Sequence, residues 1–498
     1  MCHQLHVRYV STMRRSFMLI LVPVQVLLSL LSPIPATGLT TSSSTRPRIA
    51  HKLESPPRAH IPPPPTKTSN KSTSTTNRNR NTNHTIIVFV DDHWYNLSEF
   101  RHPGGDEFLR RHNGQDITNL FYSNHWHPET IKGRVLVPTE LNDDVAEALL
   151  PTTTAAAATT TTKRCPFSQP DPHSPLYKEL KRKVKLYMDE NEIPWRYQPT
   201  YRVFAVRAAC LALCVIGREL DWDKMVCVTS ALSYGFFTGR MVWTHVHNCV
   251  HNPSSISTPM RWWLEFDCVA VVSLWMHEHL THHAETNTDS DPDVHYFSPL
   301  FDYLQIARDG GSSVKLCLAI CSYPLLVPFM LTKSILHAVN NDPVVAQTGT
   351  SIWLAVLVGP LRFGLDILAL GNDFVLALMT ATAYIVLTFA ATHQLEANHG
   401  TSSGDWMLDQ IRSTNSVWSR SKLYSAFTGG ISNHVEHHIF PQISNDVLVE
   451  IAPVVQEFAE ENGVEYNSLS PWELMSRHSA FVGGGKSGIE VNKGEMNK

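Results

Sequence analysis

From residue 201 onward the chain alternates long apolar stretches with polar blocks, and this alternation limits its second half to a few architectures. The stretches are 203–216, 226–242, 314–331 and 352–391, with a shorter run at 266–275. At about 1.5 Å of helical rise per residue, each longer stretch crosses much or all of a hydrocarbon core about 30 Å thick. The last is long enough for two passes, or for one pass and a partly buried helix. Average hydropathy hides these segments, being slightly negative because a polar N-terminal region dilutes them. The expected fold is mostly α, with an all-α multi-pass membrane domain in the second half.

The polar blocks hold histidines at metal-ligand spacing. In 245-HVHNCVH-251, His247 and His251 are four apart and share one helical face, while His245 points elsewhere. In 279-HLTHH-283, His279 and His282 lie one turn apart and His283 adjoins them; 434-HVEHH-438 repeats that spacing at His434, His437 and His438. His393 ends the long apolar stretch, as though delivered to the same aqueous face. Imidazole suits iron, copper, zinc or nickel, so ligand type alone leaves the metal open. Nine imidazoles nevertheless exceed what one tetrahedral zinc needs. His245 and His277 stand at the edges of these motifs and are given a supporting or surface role.

A chain of 498 residues exceeds the roughly 250–300 at which one core stops growing, so at least two folded units are expected. The net charge of −4 gives no basic footprint for nucleic acid. The nine cysteines include no CxxC pair and lie mostly in apolar runs, so they read as reduced core residues. Residues 1–36 have the layout of a signal peptide: Arg14 and Arg15, an apolar run at 17–31, and small residues around Ala36. Residues 37–85 are rich in Ser, Thr and Pro, carry Glu54 as their only acid, and cannot bury a core; they read as disordered. Together the two segments resemble a two-part plastid-targeting leader of algae with complex plastids. An endoplasmic-reticulum signal followed by a flexible tail accounts for the same residues equally well. A compact module at 86–147 follows, then a Thr/Ala-rich linker at 148–170. The basic segment 176–191 has helical spacing of apolar positions, and packing on the next domain is favoured over lying on a membrane surface.

The compact module contains 88-VFVDDHWYNLSEFRHPGGDEFLRRHNGQDITNLFYSNH-125. A strand-like VFV and a WYNL turn precede His102 of the HPGG tetrapeptide; a helix-like EFLRRH and a D-x-T-x-x-F run ending at Phe121 come after it. Two histidines at opposite ends of a helical pair can hold haem iron on both axial faces, which suits electron transfer. The tetrapeptide and its continuation resemble cytochrome b5. That resemblance implies a small α+β domain binding haem b, with His102 as first axial ligand and His125 as second. Free-standing cytochrome b5 proteins place the second ligand one residue later, where this chain has Trp126, and His127 is close enough to compete. Members fused to desaturases commonly show the spacing that selects His125. His93 and His112 read as surface residues.

The three histidine motifs and their flanks, 275-WMHEHLTHHAETNTDSDPDV-294, 405-DWMLDQIRSTNS-416, 428-TGGISNHVEHHIFPQIS-444 and 451-IAPVVQEFAEENGVEY-466, resemble the membrane fatty-acid desaturases, specifically the cytochrome b5-fused front-end branch. The resemblance implies a di-iron desaturase domain at 171–475 and a flexible tail at 476–498. It implies iron ligation by His247, His251, His279, His282, His283, His393, His434, His437 and His438. Two non-haem irons, haem b and dioxygen would serve the reaction, with electrons from a cytochrome b5 reductase and a lipid or acyl-CoA substrate. Either the endoplasmic reticulum or a plastid membrane would house it. A redox-silent zinc would leave the haem module without a purpose. Two positions depart from the front-end pattern: Asn248 stands where Asp is usual, and His434 where Gln is usual. An amide at 248 can hydrogen-bond an imidazole but cannot polarise it as a carboxylate would. A sphingolipid long-chain-base desaturase and a lipid hydroxylase share the same layout. An inactive haem-bearing scaffold fits poorly, because all nine histidines are present.

Overall fold

The computed structural model describes residues 86–135 apart from 92, 101, 103–105 and 116, together with 175–197, 202–252, 272–340, 352–400 and 403–485. The leader expected at 1–36, the 37–85 segment and the 148–170 linker lie outside the described residues.

The haem-type module opens with an antiparallel hairpin of β1 (Ile87–Val90) and β2 (His93–Asn96), paired Ile87 to Asn96 and Val90 to His93. Three short helices follow: α1 (Asp106–Arg111), α2 (Thr118–Ser123) and α3 (Pro128–Val135). Their core joins Val88, Val90, Tyr95, Leu109 and Phe121. The WYNL run, expected as a turn, is mostly the second strand. Tyr95 and Leu97 both face inward with period two, and the reversal comes earlier, at Asp91 with φ 51°.

The second half begins with α4 (Pro175–Glu190), whose buried residues Tyr177, Leu180, Val184 and Met188 form one stripe. That stripe packs with Trp406, Phe440, Ile451 and Val455, so the basic segment is a helix packed on the rest of the second half. Next come α5 (Arg202–Glu219) and α6 (Lys224–Met241), the latter started by Asp223, whose side chain accepts from the Met225 N–H. The chain continues from α6 through a π-helical turn, Val242–His247, and one α turn, Asn248–His251. Further on lie α7 (Val272–Glu285), α8 (Tyr303–Asp309), α9 (Ser313–Ser322) and α10 (Leu326–Val339). The apolar stretch 314–331 is split by a 3-10 turn at Tyr323–Leu325, where Pro324 supplies no N–H. Stretch 352–391 becomes two helices, α11 (Ile352–Leu370) and α12 (Phe374–His393), joined by the turn Gly371–Asp373. Arg218 donates to the Leu368 and Ala369 carbonyls at 3.2 and 2.9 Å, satisfying the open end of α11. The remaining helices are α13 (Trp406–Ser413), α14 (Lys422–Thr428), α15 (His434–Ile439), α16 (Leu448–Glu461) and α17 (Pro471–Gly483). A parallel pair, β3 (Ser416–Val417) and β4 (Ser468–Leu469), ties two of their connections.

Helix α6 packs on both α5 and α12. The approach to α12 is close: a Cβ on Gly235 would sit 2.2 Å from the Ala377 carbonyl oxygen, and one on Gly239 would sit 2.9 Å from that of Ala381. Small residues four apart let the backbones meet this way. The contact holds the histidine-bearing ends of α6 and α12 side by side. Among the described residues, Pro360–His393 is long and apolar enough to cross a membrane, and Ser313–Leu325 is a shorter apolar helix.

The tail expected at 476–498 begins as helix, and its residues 486–498 lie outside the described residues. Helix α17 runs to Gly483 because its apolar spacing continues, burying Leu474, His478 and Val482 against the rest of the domain. Ser470 caps its start, and Gly484, at φ 70°, ends it.

Candidate metal centre

All nine histidines come together and all are buried. Four elements deliver them: the extension of α6 (His247, His251), α7 (His279, His282, His283), the last residue of α12 (His393) and α15 (His434, His437, His438). They form two groups. His247, His251, His279, His283 and His437 each turn a ring nitrogen within 4.8 Å of the others, and so do His282, His393 and His438. His434 joins the second group, its Nε2 2.7 Å from that of His393. The two groups touch where the His283 and His438 rings stack at 4.2 Å.

The nitrogen spacings test whether metals fit. The Nε2 of His279 lies 2.9 Å from that of His247 and 3.1 Å from that of His283, which in turn lies 2.9 Å from that of His437. A chain of imidazole nitrogens converging in this way cannot be satisfied by hydrogen bonds alone, since each ring offers one lone pair and one N–H. Neighbouring ligands on metal bonds of about 2.1 Å lie about 3 Å apart. His251 adds a second sign: both of its ring nitrogens are buried with no hydrogen-bond partner among the described residues. Burial drives His279, His283, His437 and His438 well below the usual histidine pKa, which leaves them neutral as metal ligation requires.

The outward-facing nitrogens are held by groups that sequence reading did not assign. His282 Nδ1 donates to Asp291, 3.0 Å from each carboxylate oxygen, and Asp293 is 3.2 Å away. Burial opposes charging of His282, but these two carboxylates lift its pKa to about 9. Asp291 is itself fixed by the Asn287 and Asp293 N–H groups at 2.7 and 2.9 Å. His393 Nδ1 donates to the Ser413 carbonyl at 3.0 Å, and His438 Nδ1 to Gln410 Oε1 at 2.8 Å. Asp291 and Gln410 lie in the quoted flanks, yet no fixed spacing pairs them with a histidine. Asn248 does not meet an imidazole: its amide donates to the Thr244 carbonyl and accepts from the Asn445 N–H. It is the Asn445 side chain, 2.9 Å from His247 Nδ1, that touches the ring. His245 turns away, bonding to the Tyr197 hydroxyl and stacking on Phe204 at 4.5 Å. His277 lies on α7, but its side chain is outside the described residues.

In the first module, His102 and His125 face each other with ring centroids 6.1 Å apart and planes at 87°. Two imidazoles on opposite axial bonds of about 2.1 Å have centroids about 6 Å apart, so the pair fits one haem iron. His125 Nδ1 donates to the Phe121 carbonyl at 2.7 Å, which leaves Nε2 for the cleft. Trp126 is buried among residues of the second half, and His127 is exposed, though both border the same cavity as His125. A cavity of about 450 Å³ opens beside the pair, walled by Val90, Leu97, Phe100, Leu109 and Phe121. His93 is exposed, and His112 is half-buried.

Comparison with known proteins agrees with both halves. The fatty acid desaturase family model matches residues 224–470, and the cytochrome b5-like heme/steroid binding domain model matches 73–163. The acyl-lipid (8-3)-desaturase of Mortierella alpina is 23% identical over 433 residues, covering 77% of this chain and 90% of its own. Delta(5) fatty acid desaturase A of Dictyostelium discoideum is 22% identical over 435 residues, covering 76% and 86%. The acyl-lipid 8-desaturase of Rebecca salina is 25% identical over 390 residues, covering 73% and 83%. No solved structure matches the chain. The chain thus carries a fatty acid desaturase domain and a cytochrome b5-like domain, and the relatives it matches are front-end acyl-lipid desaturases with the same fusion.

Proposed function

We propose that the nine histidines hold the two non-haem irons of this desaturase, the five-membered group one iron and His282, His393, His434 and His438 the other, while His102 and His125 hold haem b. The convergence of buried imidazole nitrogens at 2.7–3.3 Å carries this reading. The irons supply the dioxygen-dependent removal of hydrogen from an unactivated methylene, chemistry that side chains lack. The protein's part is positioning and exclusion of water. Asp291, Ser413 and Gln410 each take up the outward nitrogen of a ring and so aim its Nε2 inward. Full burial of the rings keeps water from the reacting volume.

The domain boundaries proposed are 86–147 for the haem module and 171–485 for the desaturase domain, the latter extended to include α17. Helices α5, α6 and α9–α12 are proposed to cross or enter the bilayer. Apolar side chains left open on them support this, among them Leu361, Leu368, Val375, Ile320 and Leu336. A multi-pass protein of the endoplasmic reticulum or a plastid membrane follows, reduced by a cytochrome b5 reductase. The names of the relatives favour an acyl chain on a lipid as the substrate. Expression in yeast fed a panel of precursors, with fatty-acid and sphingoid-base profiles, tests the reading. New double bonds in fatty acids are expected, absent in His282→Ala; new bonds only in sphingoid bases would redirect it.

A further inference from the structure

The cavity beside His102 and His125 does not end within the haem module. Its wall also includes Trp195, Val250, His251, Met276, Leu280 and Gln442, all from the desaturase half. One void therefore borders the haem-side imidazoles and a member of the five-histidine group. The joint around it is tight. Trp126, next to His125, is only 5% exposed and packs edge-on against Phe440 at 5.6 Å and near Trp195 at 6.4 Å. Two lysines of α4 cover it, with Lys181 Nζ at 5.3 Å and Lys185 Nζ at 5.0 Å from its ring. Lys181 also donates to the His125 backbone carbonyl at 3.3 Å, and Lys185 reaches His127 Nδ1 at 3.4 Å. A buried indole packed between two halves of the chain is the pattern of an interface anchor.

We infer that the haem module works docked in this one position, with Trp126 as its positioning residue, and that electrons pass to the five-histidine group on its His251 side. In each step the haem iron goes from ferrous to ferric and one non-haem iron from ferric to ferrous. The haem is restored by an external one-electron reductant. This inference rests on the proposed iron and haem sites. Helix α4, not the Thr/Ala-rich linker, then sets the geometry of transfer.

The test uses the full-length holoenzyme, reduced with limiting dithionite and followed by stopped-flow absorbance of the haem as it reoxidises. In native protein the rate is expected to be insensitive to solvent viscosity and to a lengthened 148–170 linker. Trp126→Ala is expected to slow it about tenfold or more, the occupancy lost when an anchor worth about 1.4 kcal/mol is removed. Trp126→Phe should recover most of the rate. Haem and iron contents should stay unchanged in both variants. A rate that falls in proportion to viscosity in native protein, or an unchanged rate in Trp126→Ala, would overturn docking. A separate arm reduces all metals in excess dithionite before adding substrate and dioxygen. Double bonds formed there by Trp126→Ala as by native protein keep the desaturase reading whole, whereas none in either would break that reading and leave docking to the viscosity result.

Discussion

In the haem module two half-buried imidazoles face each other 6.1 Å apart across an apolar cleft. In the desaturase half nine buried imidazoles crowd together, and the Nε2 atoms of seven of them lie 2.7–3.3 Å from a neighbour's. The first arrangement is local: His102 precedes α1 and His125 follows α2, and the cleft between them has its own apolar core. The second joins four elements across nearly two hundred residues, with Trp243, Trp275 and Phe389 packed against its rings. The haem cleft is thus a pocket built by the module's own apolar core. The histidine centre is a set of buried imidazoles whose converging ring nitrogens bound metal would satisfy, so its stability and its metal content are linked.

The largest effect should separate the two regions completely. His283 touches both histidine groups, through His279 and His437 on one side and His438 on the other. His283→Ala is therefore expected to abolish double-bond formation and lower non-haem iron, while the b-type haem spectrum stays intact. A lost haem spectrum would show that the regions fold as one unit. The converse change is His125→Ala, which should remove the haem and leave non-haem iron in place; His127→Ala should keep both. Absorbance under dithionite with iron quantitation reads each outcome.

A smaller effect falls on the supports. Asp291→Asn keeps the size of the side chain but removes the charge that holds His282 Nδ1–H. Loss of such a partner costs about 10–100-fold in metal affinity, measurable by chelator competition, with the haem band unmoved. Smallest is a change remote from both metals. Gly239→Ala forces a methyl against Tyr384 and the Ala381 carbonyl, where α6 meets α12. It should destabilise the desaturase half by about 1–3 kcal/mol, read as a lower Tm without loss of the haem spectrum. An unchanged Tm would mean that this helix contact does not hold the histidine-bearing ends together.

How much of this was legible in the sequence follows from the same contrast. The HPGG tetrapeptide and the spacing to His125 are short-range signals, and the pocket forms where they place it. The histidine motifs named every imidazole that converges, because i, i+3 and i+4 positions share a helix face. Their division into groups of five and four was not legible. It depends on the π turn at Val242–His247 and on the crossing of α6 with α12, which no single segment encodes. The supports follow no helical spacing: Asp291 reaches His282 from nine residues on, while Gln410 and Asn445 come to His438 and His247 from 28 and 198 residues away. Asn248 shows the limit most clearly, since it acts on His247 only by holding Asn445. Leu474, His478 and Val482 carry a helical stripe past residue 475, where the sequence reading placed the start of the tail.

The most direct measurement is metal and haem quantitation on the purified full-length protein, with His102→Ala beside it. The expected result is two non-haem irons and one b-type haem per chain in the native protein, and the same two irons without haem in the variant. Native protein that carries haem but no non-haem iron, or non-haem iron that disappears with His102, would contradict two separately built metal sites on one chain.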